Sequence, residues 1–452
     1  MISMSLSKAA TAVESNYNGE DIIFSGCSID SRTIEKGNLF IAINGENFNG
    51  HDYVSIAEDK GAAALLLDLE VSHNKPLLKV KDTRKAMGLL AKSWREEMTI
   101  PVVAITGSNG KTTVKEMVSS ILSEISDVLA TSGNLNNDIG VPLTLFGLEK
   151  KHQYAVIEMG ANHPGEIEWL SAISRPNVAV ITQCAPAHLE GFGDIDGVAK
   201  AKAEIYSGLQ PSGTAIINAD DAYAEFWGRQ CKLLKQLSFG IESRNADVRA
   251  NNIKVITKTA STDFELICPA GEIKISLPLS GTHNVMNALA AAACCLSLDV
   301  SLQSIRTGIE KMSPVKGRLQ TKHGKQGARV IDDTYNANPT SLEAALKVLS
   351  SYEGVRYLVL ADMGELGDRA KEFHYGAGIA AKQAGIEGLF TIGDLSINAM
   401  QAYGDGALHF ESYEVLNKEL VELLSKDTTI LVKGSRTMQM ERIVSTLTEE
   451  QF

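Results

Sequence analysis

Residues 101 to 113 read Pro-Val-Val-Ala-Ile-Thr-Gly-Ser-Asn-Gly-Lys-Thr-Thr, and this stretch decides how the middle of the chain folds. Its first part, Val102 to Ile105, is short and apolar, which predicts a buried strand. Two glycines follow, and apolar residues then recur at helical spacing from Val114 to Ile125. A strand, a glycine turn and a helix N-terminus together form a phosphate-binding arrangement, because free backbone N–H groups converge there.

The turn between this strand and this helix predicts a nucleotide site. Lys111 can reach the outer phosphates, and Thr112 offers a hydroxyl to Mg²⁺. The usual pattern has one more glycine where this chain has Ile105, so the match is to a shorter variant, Thr-Gly-x-x-Gly-Lys-Thr. A simple strand–helix connector is the alternative, but the flanking strand and helix favour nucleotide binding. The residues expected to contact the nucleotide are Gly107, Ser108, Asn109, Gly110, Lys111, Thr112 and Thr113.

The composition is that of an ordinary globular protein, with 44% hydrophobic and 22% charged residues. A chain of 452 residues suits about three domains. The formal net charge of −12 argues against a nucleic-acid-binding protein, because a broad basic surface supplies affinity for phosphate backbones. The six cysteines are scattered without a Cys-x-x-Cys pair, which predicts reduced thiols. No signal-like start and no apolar run of membrane-spanning length occur, so we expect a cytoplasmic protein without membrane insertion.

Strands and helices alternate along the chain and predict three α/β units, which we place at residues 1–98, 99–313 and 314–452. In the middle unit we expect parallel strands at 102–105, 154–157, 178–182 and 214–218, the last closing the parallel series. An antiparallel hairpin around Pro269-Ala270-Gly271 comes next. In the last unit, strands at 329–332, 357–360, 389–392 and 429–432 each precede a polar or glycine loop. This alternation indicates a doubly wound, Rossmann-like domain.

Several polar residues outside the turn are candidates for a site. Glu158 ends a strand, where a ligand of an open α/β sheet would lie, so it is a candidate Mg²⁺ ligand; a structural cap is the alternative. Considered alone, His188 is a structural histidine and Lys202 a surface lysine. Asn284 and Asn287 stand one turn apart on a helix, and capping is as good an explanation as ligand binding.

Two segments of the first unit are further candidates. They are Asp30-Ser31-Arg32 and a loop with Asn47, Asn49 and His51. Physical reasoning alone favours a solvated turn and a surface loop for these segments. In the middle unit, residues 131–140 hold asparagines beside glycines, which predicts a rigid loop of hydrogen-bonding groups.

Six motifs in order resemble the Mur ligase family, and the resemblance covers essentially the whole chain. They are Thr-Gly-Ser-Asn-Gly-Lys-Thr-Thr at 106–113, Glu-Met-Gly-Ala at 158–161, Ala-His-Leu-Glu-Gly-Phe-Gly at 187–193, Gly-Thr-His-Asn-Val-Met-Asn at 281–287, Gly-Arg-Leu at 317–319 and Asp-Asp-Thr-Tyr-Asn-Ala-Asn-Pro at 332–339. Three more are similar to the family member that joins D-alanyl-D-alanine to UDP-N-acetylmuramoyl-tripeptide. These are Asn-Leu-Asn-Asn at 134–137, Asp-Met-Gly-Glu-Leu-Gly at 362–367 and Lys-Gly-Ser-Arg at 433–436.

The resemblance implies an ATP-dependent amide ligase that forms an acyl phosphate. Its substrates would be UDP-N-acetylmuramoyl-tripeptide, D-alanyl-D-alanine and ATP, with Mg²⁺ at two sites. The first domain would bind the UDP end, the second ATP and Mg²⁺, and the third would close over the site and place the incoming amine. We expect a monomer. Two alternative functions remain open. The chain could be another amide ligase of the superfamily, of the meso-diaminopimelate-adding or folylpolyglutamate type, or a non-catalytic nucleotide-binding switch. The third residue of the tripeptide, lysine or diaminopimelate, also stays open.

The resemblance also assigns roles to residues. The catalytic group would be Lys111, Glu158, His188 and Lys202, with Thr112 and Glu158 at the first Mg²⁺, His188 at the second and a carbamylated Lys202 beside it. Asn284 and Asn287 would contact adenine, and Arg318 and Asp333 would contact ATP from the third domain. Ser31 and Arg32 become UDP contacts, which reverses the expectation of a solvated turn. The remaining substrate contacts would be Asn134, Asn136, Asn137, Tyr335, Asn336, Lys433 and Arg436.

Overall fold

Three β-sheets, each mainly or wholly parallel, form the framework of the protein. We describe them from a computed structural model, which covers residues 1–45 and 48–449. The sheets have four, nine and six strands, and a separate antiparallel pair lies near the N-terminus. Asn47, one of the loop residues considered above, lies outside the described residues. Within the described ranges, no helix is both long enough and apolar enough to cross a membrane.

The four-stranded sheet belongs to the first unit, and its strand order is β3-β4-β5-β6. The strands of this unit are β1 (Ser3–Ser5), β2 (Ile23–Ser25), β3 (Cys27–Ser28), β4 (Leu39–Ile41), β5 (Ala64–Leu67) and β6 (Leu77–Lys79); its helices are α1 (Leu6–Ala12), α2 (Val54–Asp59) and α3 (Thr83–Glu97). Strands β4 and β5 are buried at every position, as expected of parallel strands covered on both faces. Helix α3 begins where the Asp82 side chain accepts from the Lys85 N–H, and it buries Met87, Leu90 and Trp94.

The nine-stranded sheet belongs to the middle unit, with the order β15-β14-β13-β12-β11-β10-β7-β9-β8. Its strands are β7 (Val102–Thr106), β8 (Val128–Ala130), β9 (Tyr154–Glu158), β10 (Val178–Ile181), β11 (Thr214–Asn218), β12 (Lys235–Gly240), β13 (Val248–Ile256), β14 (Ser261–Cys268) and β15 (Gly271–Leu277). Its helices are α4 (Lys111–Ser123), α5 (Gly140–Phe146), α6 (Glu166–Ser174), α7 (Leu189–Phe192), α8 (Ile195–Ala203), α9 (Ala224–Gln230), α10 (Thr282–Leu296) and α11 (Leu302–Glu310).

One prediction about this sheet is wrong. Thr214–Asn218 does not close the parallel series, because β12 pairs in parallel with β11 and the start of β13 pairs in parallel with β12. Strand β12 begins with exposed Lys235 and Gln236 and buries only its end, so its apolar pattern is too weak to mark a strand. The predicted hairpin is confirmed: β14 and β15 are antiparallel, and Cys268 lies opposite Gly271.

The six-stranded sheet belongs to the third unit, with the order β16-β17-β21-β18-β19-β20. Its strands are β16 (Gln320–His323), β17 (Arg329–Asp333), β18 (Val355–Ala361), β19 (Gly388–Ile392), β20 (Ala407–Phe410) and β21 (Thr428–Lys433). Its helices are α12 (Pro339–Ser350), α13 (Ala370–Gln383), α14 (Ile397–Tyr403), α15 (Tyr413–Glu422) and α16 (Glu441–Leu447). Only β16 is antiparallel, and separate hydrophobic cores cover the two faces of the sheet. The predicted doubly wound arrangement is therefore confirmed.

A single hydrophobic core connects the first unit to one face of the nine-stranded sheet. It includes Met87 and Leu90 of α3 together with Ala104 of β7 and Ile157 of β9. Helix α3 packs directly on α5 and α6. The opposite face of the sheet is covered by α4, α10 and α11. The first two units are thus fixed to each other through apolar packing.

Candidate functional site

The loop between β7 and α4 requires its two glycines. Gly107 has a φ of 148° and Gly110 a φ of 82°, which side-chain-bearing residues rarely adopt. A Cβ on Gly107 would lie 1.9 Å from Thr182 Oγ1, and one on Gly110 would lie 2.4 Å from Asn287 Oδ1. The loop is therefore pressed against the end of β10 on one side and against α10 on the other.

Lys111 is the first residue of α4, and its amine lies over the turn. Its Nζ donates to the Gly107 carbonyl at 2.6 Å. Burial lowers the pKa of this amine, and the nearby carboxylate of Glu158 partly opposes that change. Lys111 Nζ lies beside the Gly107 and Ser108 carbonyls of the loop, at the N-terminus of α4, where it would neutralise a phosphate.

Glu158 ends β9 as predicted and is 2% exposed. Its Oε1 accepts from Asn136 Nδ2 at 2.8 Å, while its Oε2 is buried and has no hydrogen-bond partner among the described residues. A buried carboxylate oxygen without a partner is costly unless a cation or donor binds it. Glu158 therefore fits a metal ligand, and the predicted rigid asparagine loop holds it in place.

The second candidate ligand, Thr112, is also buried, and its hydroxyl accepts from Arg318 Nη2 at 2.9 Å. Within residues 1–45 and 48–449, no group of three or more His, Cys, Asp or Glu side chains could hold a metal ion. Mg²⁺ is usually bound by one or two carboxylates together with phosphates and waters, so a single Glu158 beside a phosphate loop is a chemically sufficient protein contribution.

His188 follows β10 in a left-handed conformation, with a φ of 53°. Its Nδ1 lies 2.6 Å from Oε2 of Glu365, which belongs to the third unit and also has a positive φ, 62°. The contact with His188 lowers the pKa of the Glu365 carboxyl, and Lys111 adds to the effect. Two strained residues from different units thus face each other near the phosphate loop.

Lys202 is 1% exposed. Its sequence context alone predicted a surface lysine, and that prediction is wrong. It lies near the end of α8, and its Nζ is 5.6 Å from the centre of the Phe192 ring. Burial, followed by repulsion from Lys111, lowers the pKa of the Lys202 amine to about 7. The site therefore favours the neutral amine at a much lower pH than a solvated lysine would.

One large cavity of about 1500 Å³ brings most of the predicted residues together. Those that line it are Ser108, Asn109, Gly110, Lys111, Thr113, Asn134, Asn136, Asn137, Glu158, His188, Asn284, Asn287, Arg318, Asp333, Tyr335, Asn336, Lys433 and Arg436. Gly107 and Thr112 do not line it, but they contact Lys111 and Arg318, which do. Lys202 does not line the cavity either.

Ser31 and Arg32 are not brought to this cavity. Ser31 is buried, whereas the Arg32 side chain is 87% exposed and forms an ion pair with Asp30. His51, in the neighbouring loop, is buried in contacts with Asn49 and Asp68 of the same unit, which indicates a structural role.

Third-unit side chains reach across to the phosphate loop. The Arg318 guanidinium lies over the Tyr335 ring, 4.1 Å from its centre, while it donates to Thr112. Asp333 and Lys433, both predicted to contact substrates, are paired with each other at 2.5 Å and buried. The cavity is therefore a site shared between the middle and third units.

The sequence reasoning missed several residues of this site. Glu365 and Asn338 lie inside two of the quoted motifs, yet their side chains received no role. Among the described residues of the first unit, Arg84 at the start of α3 lines the cavity, and it pairs with Asp138 at 3.2 Å. No local pattern marks Arg84. Thr182, which packs on Gly107, could have been suspected from its position at a strand end.

Comparison with known proteins identifies the family. Three family profiles match in order: the "Mur ligase family, catalytic domain" at residues 23–95, the "Mur ligase middle domain" at 105–295 and the "Mur ligase, glutamate ligase domain" at 317–436. The chain is also 43% identical over 451 residues to the UDP-N-acetylmuramoyl-tripeptide–D-alanyl-D-alanine ligase of Escherichia coli K12, covering 99% of both chains. The chain belongs to the Mur ligase family.

Solved structures of Mur ligases agree with the fold. A crystal structure of MurF from Acinetobacter baumannii is 36% identical, has a TM-score of 0.94 and covers 100% of both chains. The MurF ligase of Thermotoga maritima, solved in complex with ADP, is 25% identical with a TM-score of 0.84, covering 93% of this chain and 96% of that one. The predicted three-domain α/β architecture of a Mur ligase is thereby confirmed.

Proposed function

We propose that this chain is an ATP-dependent ligase that joins D-alanyl-D-alanine to UDP-N-acetylmuramoyl-tripeptide, in the cytoplasmic synthesis of peptidoglycan precursors. Relatives with that activity in their names match nearly the whole chain, which supports this specificity. The observation that carries the chemistry is the cavity in which the phosphate loop, the buried Glu158 and third-unit side chains meet.

The reaction explains why the site needs several cations. A peptide carboxylate is a poor acyl donor because its leaving group would be oxide, so ATP converts it to an acyl phosphate, which the dipeptide amine attacks. Bringing a carboxylate to a polyphosphate places like charges together, and Lys111 and Arg318 offset part of that repulsion. Docking of the third unit holds the reactants together and excludes water from the acyl phosphate.

Glu158 and Thr112 would hold a first Mg²⁺, and His188 a second. Bound Mg²⁺ would supply positive charge to the phosphate oxygens in the transition state. The Oε2 atom of Glu158, which lacks a partner among the described residues, supports this assignment. Thr112 would exchange its contact with Arg318 for the metal, which would leave the guanidinium for a phosphate.

Lys202 would carry a carbamate in the active enzyme. Its neutral amine would attack CO₂, forming an N–C bond and releasing one proton, and the product is an anion at the former ammonium position. Burial and a pKa of about 7 supply the neutral amine that this reaction needs. The resulting negative charge would also relieve the repulsion from Lys111.

The substrates would occupy the rest of the cavity as the resemblance suggested. Adenine would contact Asn284 and Asn287, with Asp333 a further ATP contact. The muramoyl peptide would lie along Asn134, Asn136 and Asn137. The dipeptide and transferred phosphate would lie near Tyr335, Asn336, Lys433 and Arg436. Ser31 and Arg32 would bind the UDP end, outside the cavity described here. We also propose domain limits at 98/99 and 313/314, and a monomer.

An ADP-release assay tests the proposed function. The purified protein is given ATP, Mg²⁺ and UDP-N-acetylmuramoyl-tripeptide, and acceptors are compared: D-alanyl-D-alanine, meso-diaminopimelate and glutamate. We expect ADP release and a new amide with D-alanyl-D-alanine alone, with lysine- and diaminopimelate-containing tripeptides compared in parallel. Ligation of another acceptor would favour a different ligase of the superfamily. Nucleotide binding without turnover on any acceptor would favour a switch.

A further inference from the structure

Two amide side chains join the phosphate loop to the third unit. Asn338 Nδ2 donates to Asn109 Oδ1 at 2.8 Å, and Asn109 Nδ2 donates to Asn338 Oδ1 at 3.3 Å. Asn338 is 7% exposed and Asn109 is half-buried, and both residues line the cavity. Separating the two units would break both hydrogen bonds at once, which makes the contact specific for one docked arrangement.

On the third-unit side, helix α12 fixes the position of Asn338. This residue is the N-cap, where its Oδ1 accepts from the Ser341 N–H at 2.9 Å and its own N–H donates to Ser341 Oγ at 3.0 Å. Pro339 follows at the first helical position. Because the cap orients the amide, the Nδ2 group is presented to Asn109 without further side-chain ordering.

On the loop side, the position of Asn109 depends on the shape of the phosphate loop. It lies between Gly107 and Gly110, and its carbonyl accepts from Thr182 Oγ1 at 2.5 Å. The preceding residue is held too, since the Ser108 N–H donates to the Gln183 carbonyl at 2.9 Å. Any change in the loop that accompanies phosphate binding therefore moves the amide that Asn338 contacts.

We propose that Asn338 is a positioning residue that couples nucleotide binding at the phosphate loop to docking of the third unit. It acts through Asn109: the nucleotide-bound loop presents the Asn109 amide, and Asn338 docks on it. Docking in turn brings Arg318 and Tyr335 of the same unit over the site. The inference rests on the proposed ATP-binding function. Such coupling is reciprocal, so docking raises nucleotide affinity by the factor by which nucleotide favours docking.

Asn338→Ser separates coupling from helix capping. Serine keeps a capping oxygen for α12 but is too short to reach Asn109. We expect this variant to keep the thermal unfolding midpoint of the wild type. Its affinity for ADP, measured by calorimetry, should be about tenfold weaker. The decrease in radius of gyration that ADP causes, measured by small-angle X-ray scattering, should be smaller than in the wild type. The matched control is Ser412→Ala, which removes the N-cap of α15 in the same unit. It should lower the unfolding midpoint but leave ADP affinity and compaction as in the wild type.

A double variant tests whether Asn338 acts through Asn109. If it does, Asn109→Ser combined with Asn338→Ser should lose no more ADP affinity than the Asn109→Ser variant alone. Additive losses overturn the inference. So does an Asn338→Ser variant that binds ADP and compacts like the wild type, or a wild-type scattering profile that ADP leaves unchanged. Each of these results would overturn the coupling but would not affect the ligation assay. Conversely, a wild-type protein that ligates no acceptor would overturn the proposed function, while the ADP-binding and scattering results would still test the coupling.

Discussion

The buried amine of Lys202 predicts a measurable dependence of stability on pH. The side chain is 1% exposed, and burial lowers its pKa from the ordinary value of 10.5 to about 7. In the unfolded chain the amine would regain its ordinary pKa. Replacing Lys202 by methionine keeps an unbranched side chain of similar length and removes the amine, so the variant isolates the cost of burying it.

The direction and size of the effect come from proton linkage. Between pH 7 and pH 10.5 the unfolded chain binds more protons than the folded protein, so the free energy of unfolding rises with pH across that window. With 1.36 kcal/mol for each tenfold change, the amine costs about 4 kcal/mol at pH 7 and about 2 kcal/mol at pH 9. The advantage of Lys202→Met over the wild type should therefore shrink by about 2 kcal/mol between these values.

Urea unfolding at pH 7, 8 and 9 in CO₂-free buffer measures this difference. Tryptophan fluorescence is a suitable signal, because the buried Trp227 ring donates to the Ala199 carbonyl of α8, the helix that carries Lys202. Lys200→Met is the matched control, since Lys200 lies on the same helix but is exposed. Its difference from the wild type should not depend on pH. A Lys202→Met difference that stays constant from pH 7 to pH 9 would refute the reasoning, and with it the chemical basis for carbamylation.

Three single substitutions probe the metal site, the loop and the third unit. Glu158→Gln should keep the unfolding midpoint but lower the Mg²⁺-dependent ligation rate about 100-fold; an unchanged Mg²⁺ titration would place Glu158 away from the metal. Gly107→Ala, whose Cβ would lie 1.9 Å from Thr182 Oγ1, should weaken ADP binding at least about tenfold by calorimetry, and wild-type affinity would contradict the tight packing. Asp333→Asn leaves the Lys433 amine buried without its carboxylate and should lower the free energy of unfolding by about 3–5 kcal/mol. Adding Lys433→Met should recover much of that loss, and an equal or larger loss would contradict the pairing.

The secondary structure around the proposed site was predicted correctly from local sequence. The strand and helix around the phosphate loop follow from hydrophobic periodicity, and Glu158 was placed at its strand end because parallel strands direct their carboxyl ends to one edge. The antiparallel hairpin at Cys268 and Gly271 follows from turn residues between two alternating segments. In each case the information lies within one short continuous stretch of the chain.

Burial of single polar residues could not be predicted in this way. The sequence around Lys202 gives no sign of burial. Alanines flank it, and alanine is compatible with both an exposed and a closely packed helix. Its burial arises from Phe192 of α7 and from the packing of α8 against α6 and α7, which are other elements of the fold. Strand β12 was missed for a related reason, since its register depends on β11 and not on its own apolar pattern.

Contacts between the units explain why the phosphate loop alone does not define the site. Ser108 Oγ donates to the Ala185 carbonyl beyond β10, Asn109 pairs with Asn338, and the Thr112 hydroxyl accepts from Arg318. Two of these three partners belong to the third unit. A nucleotide that fills the loop would therefore lie directly beside the contacts that hold the third unit in place. Nucleotide binding and domain docking are consequently linked by the same side chains, and a variant at any of them should be assayed for both.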